Sequence, residues 1–413
     1  MKKKIAGVVI LASALVSQGA FAKTLEDVLK EKGVITEEDY KAVTKSRPLD
    51  YKLGKGFTFT SPDEKFQLSL GARLQTRYTF TDNDTSQDSS EIRVRRMKLF
   101  LNGYAYSKDL TYKLQVNFAE SSTASVLEDA WLNYRLMGHN EAQLFFGQDK
   151  VPFARQELTS SGAQQFVDRS NATDTFKPAR EPGLMLHGKI MDGLVNYNAG
   201  AFNGAGQTAT RASNGATNHN SFAARVTCNP LGDMPYSEAD LDHSAKPLVS
   251  VGADYYFNTL KKTTAATFET TNKLNYAANF LNPAKFNASE KVDIDLYSAD
   301  IAFKWLGASL QAEYFLAQAD GQVSGATQRG HGFYAQAGYF VIPKHLELAG
   351  RYSYVDVDRD VSNNLRTEVS GAVSYYFSKH NLKLQGDVTN IHRQTAAAIT
   401  DDMQYRLQAQ VIF

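Results

Sequence analysis

From Lys65 onward the chain alternates apolar and polar residues. In Lys65–Phe80, Phe66, Leu68, Leu70, Ala72, Leu74, Tyr78 and Phe80 hold even positions, and Lys65, Gln67, Ser69, Arg73, Gln75 and Arg77 hold odd ones. Successive strand side chains point to opposite faces, so this predicts a strand with one apolar and one polar face. The period returns at about 92–106, 110–119, 126–135, 141–148, 182–190, 194–202, 221–228 and 247–257. It continues at about 294–305, 308–318, 331–341, 345–357, 366–377, 381–391 and 403–413. That makes about 16 strands, an even number, each near the length of a tilted membrane-crossing strand.

Connection lengths alternate as well. Short ones include Ser107-Lys108-Asp109, Met191-Asp192-Gly193, Ile342-Pro343-Lys344 and Ser378-Lys379-His380. Long polar ones lie between them, at 81–90, 149–181, 203–220, 258–292, 319–330, 356–365 and 392–402. Short turns at one end and long loops at the other mark an outer-membrane barrel. The connection 229–246 belongs to the short side and is long, as a periplasmic insertion would be. In lipid every backbone polar group must be paired, so the sheet must close, with its apolar face outward and its polar face lining a lumen.

The N-terminus reads as a secretory signal: Lys2–Lys4, an apolar stretch Ile5–Val16, then Ala20-Phe21-Ala22. About a dozen apolar residues are too few for a membrane helix, which needs roughly 20. Cleavage after Ala22 removes 22 residues and leaves 391. A soluble β-sandwich would alternate similarly. The signal, the strand number and the last strand favour the barrel, because Met403, Tyr405, Leu407, Ala409, Val411 and the terminal Phe413 share one face. Lys23–Arg47 is helical in pattern, with Gly33 between two short helices and Thr36–Asp39 as a cap. The expected organisation is a signal peptide 1–22, a periplasmic helical hairpin and linker 23–50, and an all-β transmembrane antiparallel barrel 51–413 with a constriction loop 149–181.

Charge and composition narrow the class. The signal holds three lysines and no acid, so the mature chain carries 42 basic and 44 acidic residues, near −2. A nucleic-acid binder concentrates positive charge, so none is expected as a partner. The lone Cys228 excludes an intrachain disulfide framework. The 21 Tyr and 24 Phe suit aromatic girdles at the two membrane interfaces. No cofactor or metal site is expected: the histidines (His187, His331, His345, His392) are scattered, with no Gly-x-Ser-x-Gly and no metal-ligand spacing. That argues against an outer-membrane hydrolase or acyltransferase. A gated importer needs a large plug in a 22-stranded barrel, for which residues 23–60 are too few.

Parity places the charges. The first three strands turn Lys65, Arg73, Arg77, Arg93, Arg95, Arg96, Lys98 and Lys113 inward against one acid, Glu91. This requires a phase slip between Arg95 and Arg96, that is, a β-bulge. Further inward positions mix Arg135, Lys189, Arg225, Lys304, Arg351, Arg366, Lys383 and Arg406 with Asp129, Asp254, Asp300, Glu313, Glu347, Glu368 and Asp387. Gly147–Glu181 breaks the alternation, and so long a loop in an ordered domain is usually functional. Up to Arg180 it holds Lys150, Arg155, Arg169, Lys177 and Arg180 against Asp149, Glu157, Asp168 and Asp174. Arginines unpaired in a confined lumen favour oxyanions.

Three stretches carry a resemblance: Arg95-Arg96-Met97-Lys98-Leu99; Gly147-Gln148-Asp149-Lys150-Val151-Pro152-Phe153 with Glu157-Leu158-Thr159-Ser160-Ser161; and Tyr339-Phe340-Val341-Ile342-Pro343-Lys344 running into Arg351-Tyr352-Ser353. Over essentially the whole barrel the chain resembles the phosphate-selective porin O/P family of outer-membrane channels. The resemblance implies a 16-stranded homotrimeric barrel whose third long loop folds inward, with wall and loop cations guiding phosphate or polyphosphate. Arg95 and Arg96 then take wall positions, with Arg73 beside them. A terminal aromatic such as Phe413 is what barrel-assembly machinery recognises in similar proteins. The family's selective members carry a denser basic ladder; this chain intersperses acids, which favours anion passage over strict phosphate selectivity. A general or sugar-selective porin is the alternative, for which the inward Trp131 speaks.

Overall fold

The computed structural model describes residues 25–40, 49–119, 126–136, 139–208, 219–263, 267–269 and 273–413. The expected signal peptide lies outside them. Two units separate at Pro48/Leu49. In the first, helix α1 (Leu25–Glu31) ends at Gly33, whose φ of 67° suits a helix stop, and Thr36 and Asp39 exchange reciprocal cap bonds. The rest of the expected hairpin, 41–48, also lies outside the described residues.

The second unit is the barrel. Sixteen antiparallel strands close on themselves: β3 (Gln67–Asp82), β4 (Ser89–Ala105), β5 (Ser107–Asn117), β6 (Leu127–Arg135), β7 (Gln143–Lys150), β8 (Arg180–Ile190), β9 (Val195–Phe202) and β10 (Ser221–Cys228) form the first half. The second half is β11 (Leu248–Lys261), β12 (Lys291–Trp305), β13 (Ala308–Gly321), β14 (Thr327–Ile342), β15 (Leu346–Asp356), β16 (Leu365–Ser378), β17 (Leu382–Gln394) and β18 (Ile399–Ile412). Each strand pairs with its sequence neighbours, and β18 returns to β3 from Met403↔Asp82 to Ile412↔Arg73. The strands expected from Lys65 onward leave out a hairpin before β3, where β1 (Leu49–Lys52) and β2 (Gly56–Thr60) pair; residues 49–53 and 57–60 do alternate, but each run is short. Because β18 stops opposite Arg73, β3 would leave Gln67–Leu70 unpaired, and β2 covers that edge. Gly56 permits the approach: a Cβ there would lie 1.9 Å from the Leu70 carbonyl oxygen.

Ile92, Phe146, Phe222, Val251, Val369 and Leu407 are exposed on the outer face. Aromatic pairs stand near both ends of the strands, Phe66–Tyr106 and Tyr375–Phe377 at the short-turn end, Tyr255–Tyr297 and Phe333–Tyr354 toward the long loops. The inner face departs from the expected polarity. Toward the long-loop ends of β11–β15, Tyr256, Leu260, Val292, Ile294, Leu296 and Phe315 point inward and are buried. They pack against Val151, Phe153 and Phe176 of the third long loop and against Tyr276, Phe280 and Phe286 of the 262–290 loop. Where loops fill the lumen, the inner wall faces protein rather than water and is apolar. Outward Asp293 and Asp295 on the same strands are satisfied by Thr259 and Tyr255 hydroxyls.

Candidate pore site

Two bulges place the chemistry. On β4 the register shifts from Gln75↔Arg96 to Thr76↔Val94, so Arg95 is the extra residue and Arg95 and Arg96 both reach the lumen. On β6 the register shifts from Gln115↔Asp129 to Val116↔Leu127, so Glu128 is extra, and Glu128 and Asp129 both turn inward. An arginine pair and a carboxylate pair thus stand on nearby strands of one wall. Simple parity missed Glu128; two adjacent like charges in a strand were the signal that marks both bulges.

The third long loop runs from Val151 to Ala179 inside the barrel, with Lys150 and Arg180 cross-strand partners at its root rather than loop residues. The loop turns in at Ala154 (φ 63°), and α2 (Arg155–Leu158) sits against the far wall. Ala154 N–H donates to Asp254 (2.8 Å), Gln156 N–H to Glu313 (2.9 Å), and Arg155 N–H also to Glu313. Farther along, Gln165 Nε2 reaches Ser309 (2.7 Å) and Glu347 (2.6 Å), and Val167 N–H reaches Asp387 (3.0 Å). Then α3 (Asn171–Phe176), N-capped by Ser170, stacks Phe176 on Phe315 at 5.8 Å. The loop therefore occupies the β11–β18 side of the lumen.

The open space is a cavity of about 800 Å³ along the β3–β9 side. It reaches from Asn275 and Asn279 of the 262–290 loop to Tyr236 of the 229–247 segment. Of the expected residues, Arg73, Arg95, Arg96, Lys98, Lys113, Lys150, Arg169, Lys177 and Arg180 line it, joined by Lys273. The lining acids are Glu128, Asp129, Asp149 and Glu157, so basic residues outnumber acids ten to four.

Many of these cations have partners. Lys98 pairs with Glu128; Lys113 and Arg180 hold Asp129 at 2.7 Å each; Arg169 and Lys177 hold Glu157 at 2.9 Å each. Lys150 Nζ donates to the carbonyls of Leu158 (3.2 Å) and Thr159 (3.0 Å), and Arg73 to the hydroxyls of Ser160 (2.9 Å) and Ser161 (3.0 Å). Asp168 gathers four arginines: Arg77 (2.6 Å), Arg406 (3.4 Å), Arg96 (3.6 Å) and Arg95 (3.7 Å). Burial pushes its carboxyl up, but Arg77, Arg95 and Arg406 outweigh this and hold it well below the ordinary carboxylate range. Glu157 is likewise raised by burial and lowered further by Arg169, Lys177 and Lys150, with a net fall.

Six expected pore residues lie elsewhere. Arg77 is buried against Asp168 and Gln408. Arg93 is exposed beside Glu91 (3.4 Å) near the long-loop rim, and Arg135 bonds Asp109 (3.2 Å) and the Lys108 carbonyl near the short-turn rim. Arg155 is buried behind the loop, against Ser250 (3.1 Å) and over the Tyr236 ring (4.9 Å). Arg225 is sealed between Asp254 and Asp300 (2.7 Å). Arg351 lies over Phe166 (4.3 Å) and lines a smaller cavity of about 340 Å³ with Arg366, Arg393 and Arg406. Arg169 lines both cavities. Parity located Arg77, Arg225 and Arg351 on the inner face but not their burial, and it did not show that Arg93 and Arg135 lie at the rims.

Asp254, Asp300 and Glu313 place carboxylate oxygens within 4.8 Å of one another, the one metal-like grouping among the described residues. Arg225 and the loop's N–H groups already engage this cluster, and it serves as the loop's anchor. The 229–247 segment enters the lumen from the short-turn end, where Tyr236 lines the cavity. Glu238, buried, accepts from Gln156 Nε2 (2.9 Å) and Gln165 N–H (2.7 Å), and its own N–H donates to the Ala163 carbonyl (3.0 Å). Ala239 and Leu241 pack with Phe340 and Tyr376 beneath it.

A closed sixteen-stranded barrel, apolar outside, with a charged passage beside an inward loop, is an outer-membrane channel of the porin class. Residues 66–413 match the family described as phosphate-selective porin O and P, and the chain belongs to that family. It is similar to an uncharacterized protein of Aquifex aeolicus (strain VF5), 23% identical over 98% of this chain and 99% of that one. Among solved structures, an anion-selective porin from Comamonas acidovorans aligns with TM-score 0.60 at 11% identity, over 84% of this chain and 99% of that one. The outer membrane channel DcaP of Acinetobacter baumannii aligns with TM-score 0.59 at 15% identity, over 86% and 99%. OmpT of Vibrio cholerae, in a trimer form, aligns with TM-score 0.55 at 10% identity, over 84% and 99%. These structures share the fold.

Proposed function

We propose that the chain is a passive diffusion channel for small anions, phosphate and related oxyanions among them, narrowed by the loop Val151–Ala179. The carrying observation is the excess of ten basic over four acidic side chains along the passage. Confined in low-dielectric walls, such an excess raises the local anion concentration, and arginine forks match oxyanion geometry. The name of the Comamonas porin agrees with this sign. Export through residues 1–22, with removal after Ala22, recognition of Phe413 by assembly machinery, and a homotrimer like the trimer form of OmpT complete the reading. A general or sugar porin draws support from Trp131, which lines the passage.

Planar-bilayer recording tests it. Under a potassium chloride gradient the reversal potential should report chloride permeating faster than potassium, and added phosphate should lower the chloride current. Cation preference would sink the proposal. Anion preference without phosphate inhibition would leave a general anion porin.

A further inference from the structure

One wall of the passage carries aromatic and aliphatic side chains beside its charges. The rings of Trp131 and Phe145 lie 5.7 Å apart on β6 and β7, and Met185 on β8 is the cross-strand partner of Phe145. All three line the cavity. Leu158 lines it from the loop and is only half-buried, although the three residues before it in α2 are fully buried. Phe145 is buried beneath the indole and Met185 also packs against the core, whereas Trp131 and Leu158 stay half-buried and keep apolar surface toward the cavity.

The indole is also held ready. Its Nε1–H donates to Asp149 Oδ2 at 2.9 Å, which sets the ring's orientation. Its partner on β7 is Gly147 (φ 134°), followed on β8 by Gly183, so no side chain covers the ring from that direction. A Cβ at Gly147 would come within 2.8 Å of Trp131 Cβ. On its other flank the direct partner is Lys113. A pinned aromatic face thus adjoins Lys113, which shares Asp129 with Arg180 and stays part-exposed, in a passage whose charge excess is positive.

We propose, resting on the anion-channel reading, that this wall is a subsite for small organic anions with a flat apolar ring: aromatic monocarboxylates. The ring lies on Trp131 and displaces water from it and from Leu158, while the carboxylate faces Lys113. A neutral sugar would use the indole but leave the cation excess without a counterpart.

Recording on the purified channel compares benzoate, acetate and inorganic phosphate as blockers of chloride current. Benzoate and acetate share the carboxylate, so their difference reports the ring. Benzoate should half-block at about three- to tenfold lower concentration than acetate. Trp131→Ala should remove that difference while phosphate block stays within about twofold, and Trp131→Phe should keep most of it. Equal potency of benzoate and acetate in the wild type overturns the subsite even where the reversal potential reports anion preference. A cation-selective reversal potential overturns the underlying anion reading instead. Block by a neutral disaccharide but not by benzoate reassigns the indole to sugars and also overturns the proposal. Should Trp131→Ala fail to assemble, the wild-type and Trp131→Phe comparison still decides.

Discussion

Arg95 and Arg96 are neighbours in the chain and neighbours in the lumen, which an unbroken strand would forbid. The bulge makes them a double charge on one wall, and only part of that charge is cancelled, since Asp168 is shared among four arginines. Replacing both with Glu should shift the zero-current potential toward cation preference while heat-modifiable mobility stays that of a folded barrel; an unchanged potential would make them purely structural. Asp168→Asn should leave Arg77 buried without its counter-charge, while Arg406 keeps Asp387 (2.7 Å), at a cost of about 3 kcal/mol, read as lowered unfolding temperature and noisier open-channel current. The sign in pH follows from its depressed carboxyl. A folded-state value below the ordinary one gives stabilisation that is complete above that ordinary value, 3.8, and is lost only as pH falls through the folded one. The difference between wild type and Asp168→Asn should therefore persist down to about pH 4 and close only below it.

At the scale of elements, the loop Val151–Ala179 and the segment 229–247 act as one body. The loop hangs from Asp254 and Glu313 on the far wall, and Glu238 supports it from the short-turn side. Replacing 231–244 with a short turn should remove that floor and Tyr236 from the passage, giving higher single-channel conductance and more current noise. Glu238→Gln should keep one acceptor, lose a charge-assisted bond to the Gln165 N–H, and produce the noise with little change in mean conductance. A deletion variant with wild-type conductance and noise would show that the segment is an inert insertion. The loop's existence and length were legible because it breaks the period of two. Its burial was not, because Val151, Phe153 and Phe176 are spaced too irregularly to declare a partner, and that partner is an apolar inner wall contributed by strands later in the chain. The length of 229–246 was legible; the inward reach of Glu238 was not.

For the whole molecule, closure is the decisive event. Phe413 N–H donates to the Ala72 carbonyl at 3.0 Å, and Ala72 N–H to the Phe413 carbonyl at 2.7 Å, so the last residue completes the seam between the first and last barrel strands. Deleting Phe413 should lower the amount assembled in cells far more than the yield refolded in detergent, if the residue serves recognition as well as closure. Equal losses would assign it to the seam alone.

The period-two alternation, the sixteen segments and the unequal connections determined the barrel, because side-chain parity in a strand is a local property and lipid admits only a closed sheet. They also determined most of the residues that face inward, both arginines included once a bulge was allowed, though not Glu128. Only the tertiary structure decided which inward cations line the open passage. Arg73, Arg95, Arg96 and Lys113 do, whereas Arg77, Arg225 and Arg351 are buried, and the loop's own Arg155 turns to the wall. The physical reason is that facing the lumen follows from one strand's pleat, while exposure within it depends on where distant segments fill that lumen.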